Sequence, residues 1–463
     1  MLTDTARGDS RLSLWLHVRE YAVPPSVIET ATARRRAGDW AGACAAAGID
    51  VDLQLRSVAR EYGRELAARV RADLRHLAPD LLRWHMPRIA PDGLLRPGLT
   101  LTLARYGAEE GDGACPVHLV ARTPPAWADA GQRFSLALWD ESRSAGARRR
   151  PRPHPDRRFR LDLHRHLWDA RRAGELRIRS GAARRSAGGP PAVDPDLLDA
   201  VPGGRHCAVD RWAAEAGILL RAHGRSGGTV AVRPGARQRL VLDVAADGTT
   251  PPAVRIPAAS AEAGASGMPL LPDAATWVPP DLELLRAGLI EADRLHPLVA
   301  SALVPDHRPA GSSRPADRGG RPRLVECRGA RHRIGLVDGV LAALDHGQDE
   351  IRREELLAAL TGTPLPCLRA IDEAHRLDCL PSIRARLDHG DTAGALAAVE
   401  DLLGPDALLR GGALRDELEA AALRRITYGR FRADLFGPGP GRTLPGRPRP
   451  RDHRSRPRHA ASR

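Results

Sequence analysis

GLTLTLARY (Gly98–Tyr106), PVHLVAR (Pro116–Arg122) and RFSLALW (Arg133–Trp139) are three short apolar runs separated by the turn-rich AEEGDGA (108–114) and the proline-bearing TPPAWADAGQ (123–132). Runs of this length between Gly, Pro and Asp clusters read as strands, and neighbours joined by short loops pair antiparallel. The spacing predicts a meander over residues 98–142, with Leu99, Leu101 and Leu103 on one face. Its flanks read mainly as helix. The expected class is therefore α+β and multi-domain, with small antiparallel sheets in the N-terminal and middle blocks and a C-terminal all-α domain of helical hairpins.

Upstream, residues 1–97 read as a mostly α block with one N-terminal strand. Leu12, Leu14, Leu16 and Val18 alternate with Ser13, Trp15 and His17, the period of a half-buried strand, and Pro24-Pro25 ends it. From Ser26 to Met86 the pattern is helical, punctuated at Gly38-Asp39 and given a first-turn proline at Pro79. Downstream, residues 143–194 form an Arg/Pro-rich basic segment and linker, with room for one helix or strand around Leu161–Ala173. Residues 195–304 read as a mixed block. It holds a helix over Val209–Ala222, a strand pair in TVAVRPGARQRLVLDVA turning at Pro234-Gly235, and a long helix over Asp281–Leu295. Residues 305–322 are a Pro/Gly/Ser/Arg-rich linker, and residues 437–463 are a basic tail, disordered by composition.

The helical-hairpin domain is expected over 323–436. Val337, Val340, Leu341 and Leu344 fall at i, i+3, i+4 and i+7, and Ala395, Leu396, Val399, Leu402 and Leu403 repeat that stripe behind Asp391 as cap and before Gly404-Pro405 as stop. LDHGQ at Leu344 recurs as LDHGD at Leu387, 43 residues on, and GDWAGACAA from Gly38 matches GDTAGALAA from Gly390 at seven of nine positions. Glycine ending one helix, aspartate capping the next and alanine faces for close approach give this texture its helical-repeat character.

Composition narrows the chemistry. The 463 residues contain no lysine and no asparagine, so all 71 basic residues are arginine. A phosphate-loop lysine, a kinase-type lysine and a Schiff-base amine are all excluded. Of the net charge of +14, residues 143–185 carry +11 and residues 437–463 carry +7, which leaves the rest at −4. The positive charge is thus expected in solvated, poorly ordered connectors able to attract nucleic acid or acidic protein without sequence preference. Six scattered cysteines with no CxxC pair fit a reducing cytoplasm. A polar N-terminus and the lack of any long apolar run argue against export and membrane spanning.

Several residues bear on function. Cys367, His375 and Cys379, joined by Cys327 and His332 from CRGARH, are candidates for a metal shell; on one straight helix Cys367 and Cys379 would stand roughly 18 Å apart, so the chain must fold back to bring them together. Cys207, beside His206 and Arg205 and just before a helix, sits where positive surroundings lower a thiol pKa. Glu109-Glu110, Glu354-Glu355 and the HRH of His164–His166 read as surface groups. EELLAALTGTPLPCLRAIDEA (354–374) looks like a helix-turn-helix in which Arg369 and Arg376 would contact DNA, although Asp372 and Glu373 neutralise that face.

GDWAGACAAA and CRGARHRIGLVDGVLAALDHG resemble elements of an uncharacterised group of arginine- and alanine-rich proteins from high-GC bacteria, a group associated with modules built around MoxR-type ATPases and von Willebrand A domains. The resemblance implies a context, in which an AAA-type ATPase or a von Willebrand A protein is the partner, and it assigns no functional residue. The expected function is a cytoplasmic, non-enzymatic interaction adaptor or scaffold without cofactor. The alternatives are a helix-turn-helix DNA-binding regulator and a Cys/His metal or thiol enzyme.

Overall fold

The computed structural model describes residues 4–107, 116–128, 130–141, 154–183, 197, 201, 206–235, 238–245, 254–255, 267–307, 323–327, 330–337, 340–343, 349, 352–353, 356–357, 360, 380–403, 413–433 and 435. The chain is α+β and divides into two compact units, Met1–His307 with Leu423–Arg463, and Arg308–Ala422.

The first unit opens with α1 (Asp4–His17), which passes directly into a π-helical turn, Val18–Ala22. Helices α2 (Pro25–Arg36) and α3 (Trp40–Ala46), strand β1 (Ile49–Val51) and helices α4 (Leu55–Tyr62), α5 (Arg64–His76) and α6 (Pro79–His85) follow. The strand expected at Leu12–Val18 is thus helix. Trp15, Val18, Arg19 and Ala22 are the buried positions, a spacing of i, i+3, i+4 and i+7 that overrides the two-residue alternation of the leucines.

After a short hairpin of β2 (Arg88–Ile89) and β3 (Leu94–Leu95), the meander forms as its sequence predicts: β4 (Thr100–Tyr106) pairs antiparallel with β5 (Val117–Arg122), and β5 with β6 (Phe134–Asp140). A fourth strand joins it from the N-terminal block, since β1 runs parallel to β6 with Ile49 opposite Phe134. Leu101, Leu103, Leu119, Phe134 and Leu136 share one core with Trp15, Leu74, Leu81, Trp84, Trp168 and Val299.

The basic segment is ordered where it is described. Residues 154–183 fold into three short 3₁₀ turns and α7 (Leu176–Arg179), and Trp168 is fully buried. At least six of the eight arginines in this stretch are ion-paired, so the expectation of a solvated connector is overturned here. The partners Asp73, Glu215 and Asp273 lie outside the segment, which is why local charge counting does not reveal them.

A second core in the same unit packs α8 (Val209–Arg221) on the antiparallel sheet of β7 (Gly228–Val232), β8 (Leu240–Val244) and β9 (Val254–Arg255). Helices α9 (Asp273–Thr276), α10 (Pro280–Arg286) and α11 (Pro297–Leu303) follow. The long helix expected over Asp281–Leu295 stops early because Gly288 takes a positive φ of 65° behind α10.

In the second unit, β10 (Arg323–Cys327), β11 (Ala330–Val337) and β12 (Val340–Ala343) form an antiparallel sheet. The all-α expectation for 323–436 is corrected here: Val337 and Val340 are paired across strands rather than stacked on a helix. Helix returns with α12 (380–389), α13 (Thr392–Leu403) and the first half of α14 (Ala413–Arg432), around a small core of Ile383, Leu387, Ala395 and Val399; from Leu423 on, α14 belongs to the first unit. Leu396, expected on the buried stripe, is exposed.

The α2–α3 and α12–α13 turns repeat one construction. Gly38 and Gly390 take positive φ of 80° and 88°, and the following Asp39 and Asp391 accept hydrogen bonds from Gly42 N–H at 2.8 Å and Gly394 N–H at 2.9 Å. In each, an arginine five residues before the aspartate, Arg34 or Arg386, donates to its other oxygen at 2.9 or 2.8 Å. Glycine is required at the third position after the aspartate, because a Cβ there would overlap the capping carboxylate. Among the described residues no helix is long and apolar enough to cross a membrane.

Candidate functional site

The most concentrated buried polar chemistry lies where α1 becomes the π turn. Such turns are rare and gather at functional positions. Here it carries Arg19, 3% exposed, whose Nη2 donates to Asp281 Oδ1 at 2.7 Å. The other Asp281 oxygen accepts from Trp84 Nε1 at 2.7 Å, and the Arg19 guanidinium lies 3.9 Å from the centre of the same indole ring. Asp281 stands in the first turn of α10, where the helix dipole favours a carboxylate. Burial lowers the Arg19 pKa and Asp281 opposes that shift.

Asp80, fully buried in the first turn of α6, lies with Oδ2 2.9 Å from His296 Nε2. His296 Nδ1 accepts the Leu298 N–H at 3.1 Å at the start of α11, so its ring proton sits on Nε2, toward Asp80. The Nε2–Asp80 contact lacks hydrogen-bond geometry, and among the described residues neither Asp80 oxygen has a hydrogen-bond partner. His85, one turn along α6, is pushed down to about 4 by burial and stays neutral near pH 7.

The HRH element is buried, not superficial, which corrects the surface reading. His164 Nδ1 meets the Arg160 carbonyl at 3.0 Å and its Nε2 lies 3.2 Å from Glu215 Oε2. Glu215 on α8 also takes a two-point contact from Arg179 Nε and Nη2, both at 2.5 Å. Burial alone would raise Glu215, but the hydrogen bonds from His164 and Arg179 outweigh it and hold the carboxyl at about 2. His166 stacks edge-on to His164 at 5.8 Å, and burial drives its pKa well down.

A third network joins α5 to the basic segment. Asp73 accepts from Tyr106 Oη at 2.7 Å, from Arg171 Nη2 at 2.8 Å and from Arg165. Asp169 accepts from Arg165 at 2.8 Å and from Arg171 at 2.8 and 3.0 Å. Two carboxylates thus alternate with two guanidiniums, and the charges cancel within the network.

Cys207 is buried in the same hydrophobic core as Trp212 and Leu271. Burial pushes its thiol up to about 11, outweighing the lowering by Arg11, and Glu283 adds a smaller rise, the reverse of the activated thiolate expected. The adjacent His206 turns away to Glu283, 3.0 Å from Oε1. Cys44 is likewise buried and raised to about 12. Cys327 ends β10 and His332 lies on β11 opposite Val325, two positions from Cys327 along that strand. Cys367, His375, Cys379, Arg369, Arg376, Glu354-Glu355 and Glu109-Glu110 lie outside the described residues, as does the first LDHG copy. Among the described residues no three His, Cys, Asp or Glu side chains are grouped to hold a metal ion.

The Arg19–Asp281 and Glu215–Arg179 pairs escape sequence reading because their partners are 262 and 36 residues apart. A usable signal exists in RFRLDLHRHLW (158–168), whose alternating apolar residues mark an ordered segment rather than a connector. No protein family, curated protein or solved structure matches this chain.

Proposed function

We propose that the chain is a cytoplasmic, non-enzymatic interaction protein that recognises a protein partner through apolar helical residues of its second unit. One observation carries this reading: Leu356, Leu357 and Leu360, all helical, are 59, 55 and 84% exposed. Their spacing, i, i+1 and i+4, is that of one side of a helix, and covering such side chains stabilises a complex by about 1.5–3 kcal/mol each when burial is complete. The described part of the arginine-dense segment, 154–183, supports the reading from the opposite direction, since Arg158, Arg160, Arg165, Arg171, Arg172 and Arg179 are ion-paired within the molecule. An AAA-type ATPase or a von Willebrand A protein is the partner class we favour.

The test compares the wild-type chain with Leu356→Asp/Leu360→Asp, each crosslinked in the native host at matched expression. A partner recovered with the wild type and lost with the variant, at unchanged thermal unfolding, is the expected result. Equal recovery rejects the surface, and sequence-selective DNA binding lost on Arg369→Ala/Arg376→Ala would replace the reading with a regulator.

A further inference from the structure

The last turns of α14 close over the outer edge of the four-stranded sheet. Among the described residues strand β1 pairs only with β6, which leaves it at the edge of the sheet, and it carries Asp50, with Asp52 just beyond its end. Charged residues on a short edge strand discourage other strands from pairing. Arg133 donates to both Asp50 oxygens, at 2.6 and 3.2 Å, and thereby neutralises one carboxylate. One negative charge remains, and Arg432 meets it through Asp52. Tyr428 donates its hydroxyl to Asp50, and Phe431 sets its ring edge-on to Trp127 at 5.7 Å. Burial and the Asp50 carboxylate raise the phenol pKa, so Tyr428 remains a donor.

The Tyr428–Asp50 tie is part-buried, while the Arg432 and Trp127 ties reach solvent. Arg432 and Asp52 retain 35 and 30% side-chain exposure, and Trp127 is 37% exposed even beneath the helix end. Exposed ionic contacts of this kind are weak and salt-screened, and segments held by few apolar contacts open locally while the core stays folded.

We propose that the Asp50/Asp52/Trp127 face is a docking site for short helices that carry an aromatic residue beside an arginine, and that the chain's own Tyr428–Arg432 turn is its resident occupant in cis. The chemistry of the face selects that class: an indole for a ring, one uncompensated carboxylate for a guanidinium, and Asp50 for a hydroxyl donor. The site is self-occluded, and a partner helix of matching chemistry gains access by displacing the strap.

The probe is a labelled peptide of residues 423–433, LRRITYGRFRA, titrated against full-length proteins by fluorescence anisotropy. Wild type, whose face is occupied, binds it weakly. Phe431→Ala/Arg432→Ala, which removes two of the strap's three ties and leaves only the Tyr428 hydroxyl on Asp50, binds at least tenfold more tightly at low salt, and adding Asp50→Asn/Asp52→Asn removes that gain. Arg432→Ala alone, a solvent-exposed change, gives an intermediate affinity and guards against misfolding of the double variant. Equal affinity for wild type and strap variants, absence of binding to any of them, or insensitivity to the Asp50/Asp52 change overturns the proposal.

Discussion

Replacing Asp281 with asparagine removes one charge and little volume, and its consequence follows from burial. Arg19 and Asp281 are 3 and 1% exposed in their side chains, so after Asp281→Asn the guanidinium is left in the core without its hydrogen-bonded counter-charge, with only the more weakly coupled Asp80 nearby. It has no easy escape, because arginine stays protonated at neutral pH even when burial lowers its pKa. The new side-chain amide can still accept from Trp84 Nε1, and the Arg19–Trp84 stacking returns about 1–2 kcal/mol. The charge term dominates, and breaking a buried pair from one side destabilises by about 3–5 kcal/mol. With a urea dependence of about 2–3 kcal/mol per molar, the unfolding midpoint falls by more than about 1 M. Removing both charges with Arg19→Met/Asp281→Leu leaves no orphaned ion and restores most of that loss. Urea unfolding of wild type, the two single variants and the double variant checks this. A single-variant loss below about 1 kcal/mol, or strict additivity in the double variant, refutes the premise that this pair is desolvated and mutually dependent.

Acid and helix capping offer two further checks. His85 and His118 are each held at about 4 in the fold, by burial first and, for His118, by Arg105 next. Their folded pKa lies below the unfolded value near ~6.5, so each contributes stability that is complete above that value and lost as pH falls toward about 4. Thermal unfolding should therefore steepen below pH 6.5, by up to about 1.4 kcal/mol per pH unit for each histidine, and His118→Gln should flatten the profile. Gly42→Ala and Gly394→Ala should each cost about 1–2 kcal/mol in urea unfolding by displacing the Asp39 or Asp391 cap. Gly429→Ala on α14, which meets no neighbouring atom, should instead stabilise by about 0.5–1 kcal/mol.

The fold is legible where periodicity and punctuation agree over a whole element. The meander, the helix over Val209–Arg221, the β7–β8 pair and the Asp391 cap all carry such agreement. Leu12–Val18 misleads because seven residues with apolar side chains at Trp15 and at every even position satisfy two periods at once, and only the buried Arg19 decides between them. Val337–Leu344 misleads differently: Asp338-Gly339, a dipeptide strongly favoured in two-residue hairpins, outweighs a four-residue helical coincidence. The shared arginine before both Gly-Asp turns, Arg34 and Arg386, is visible in the sequence but gains meaning only with the carboxylate contact. The buried networks are not legible at all, since Asp73, Glu215, Asp273 and Asp281 are ordinary acids until the fold carries them to their arginines.

Arginine in this chain has two possible origins, coding bias and structural demand, and the absence of lysine makes them separable by substitution. Arg179 sits 14% exposed, gives two hydrogen bonds to Glu215 and a third to the Leu163 carbonyl at 3.0 Å, a pattern a planar fork satisfies and a single ammonium does not. Arg34 gives Asp39 one contact and is 52% exposed, so a lysine can replace it with little loss. Arg179→Lys should therefore cost about 2 kcal/mol or more, because Glu215 loses a donor in a buried setting, while Arg34→Lys stays within about 0.5 kcal/mol of wild type. If composition alone set the residue type, the two substitutions would be equally mild by urea unfolding. A large difference between them means that the fold exploits the guanidinium's geometry, and that the density of arginine over 158–179 reflects internal architecture rather than affinity for an anionic ligand.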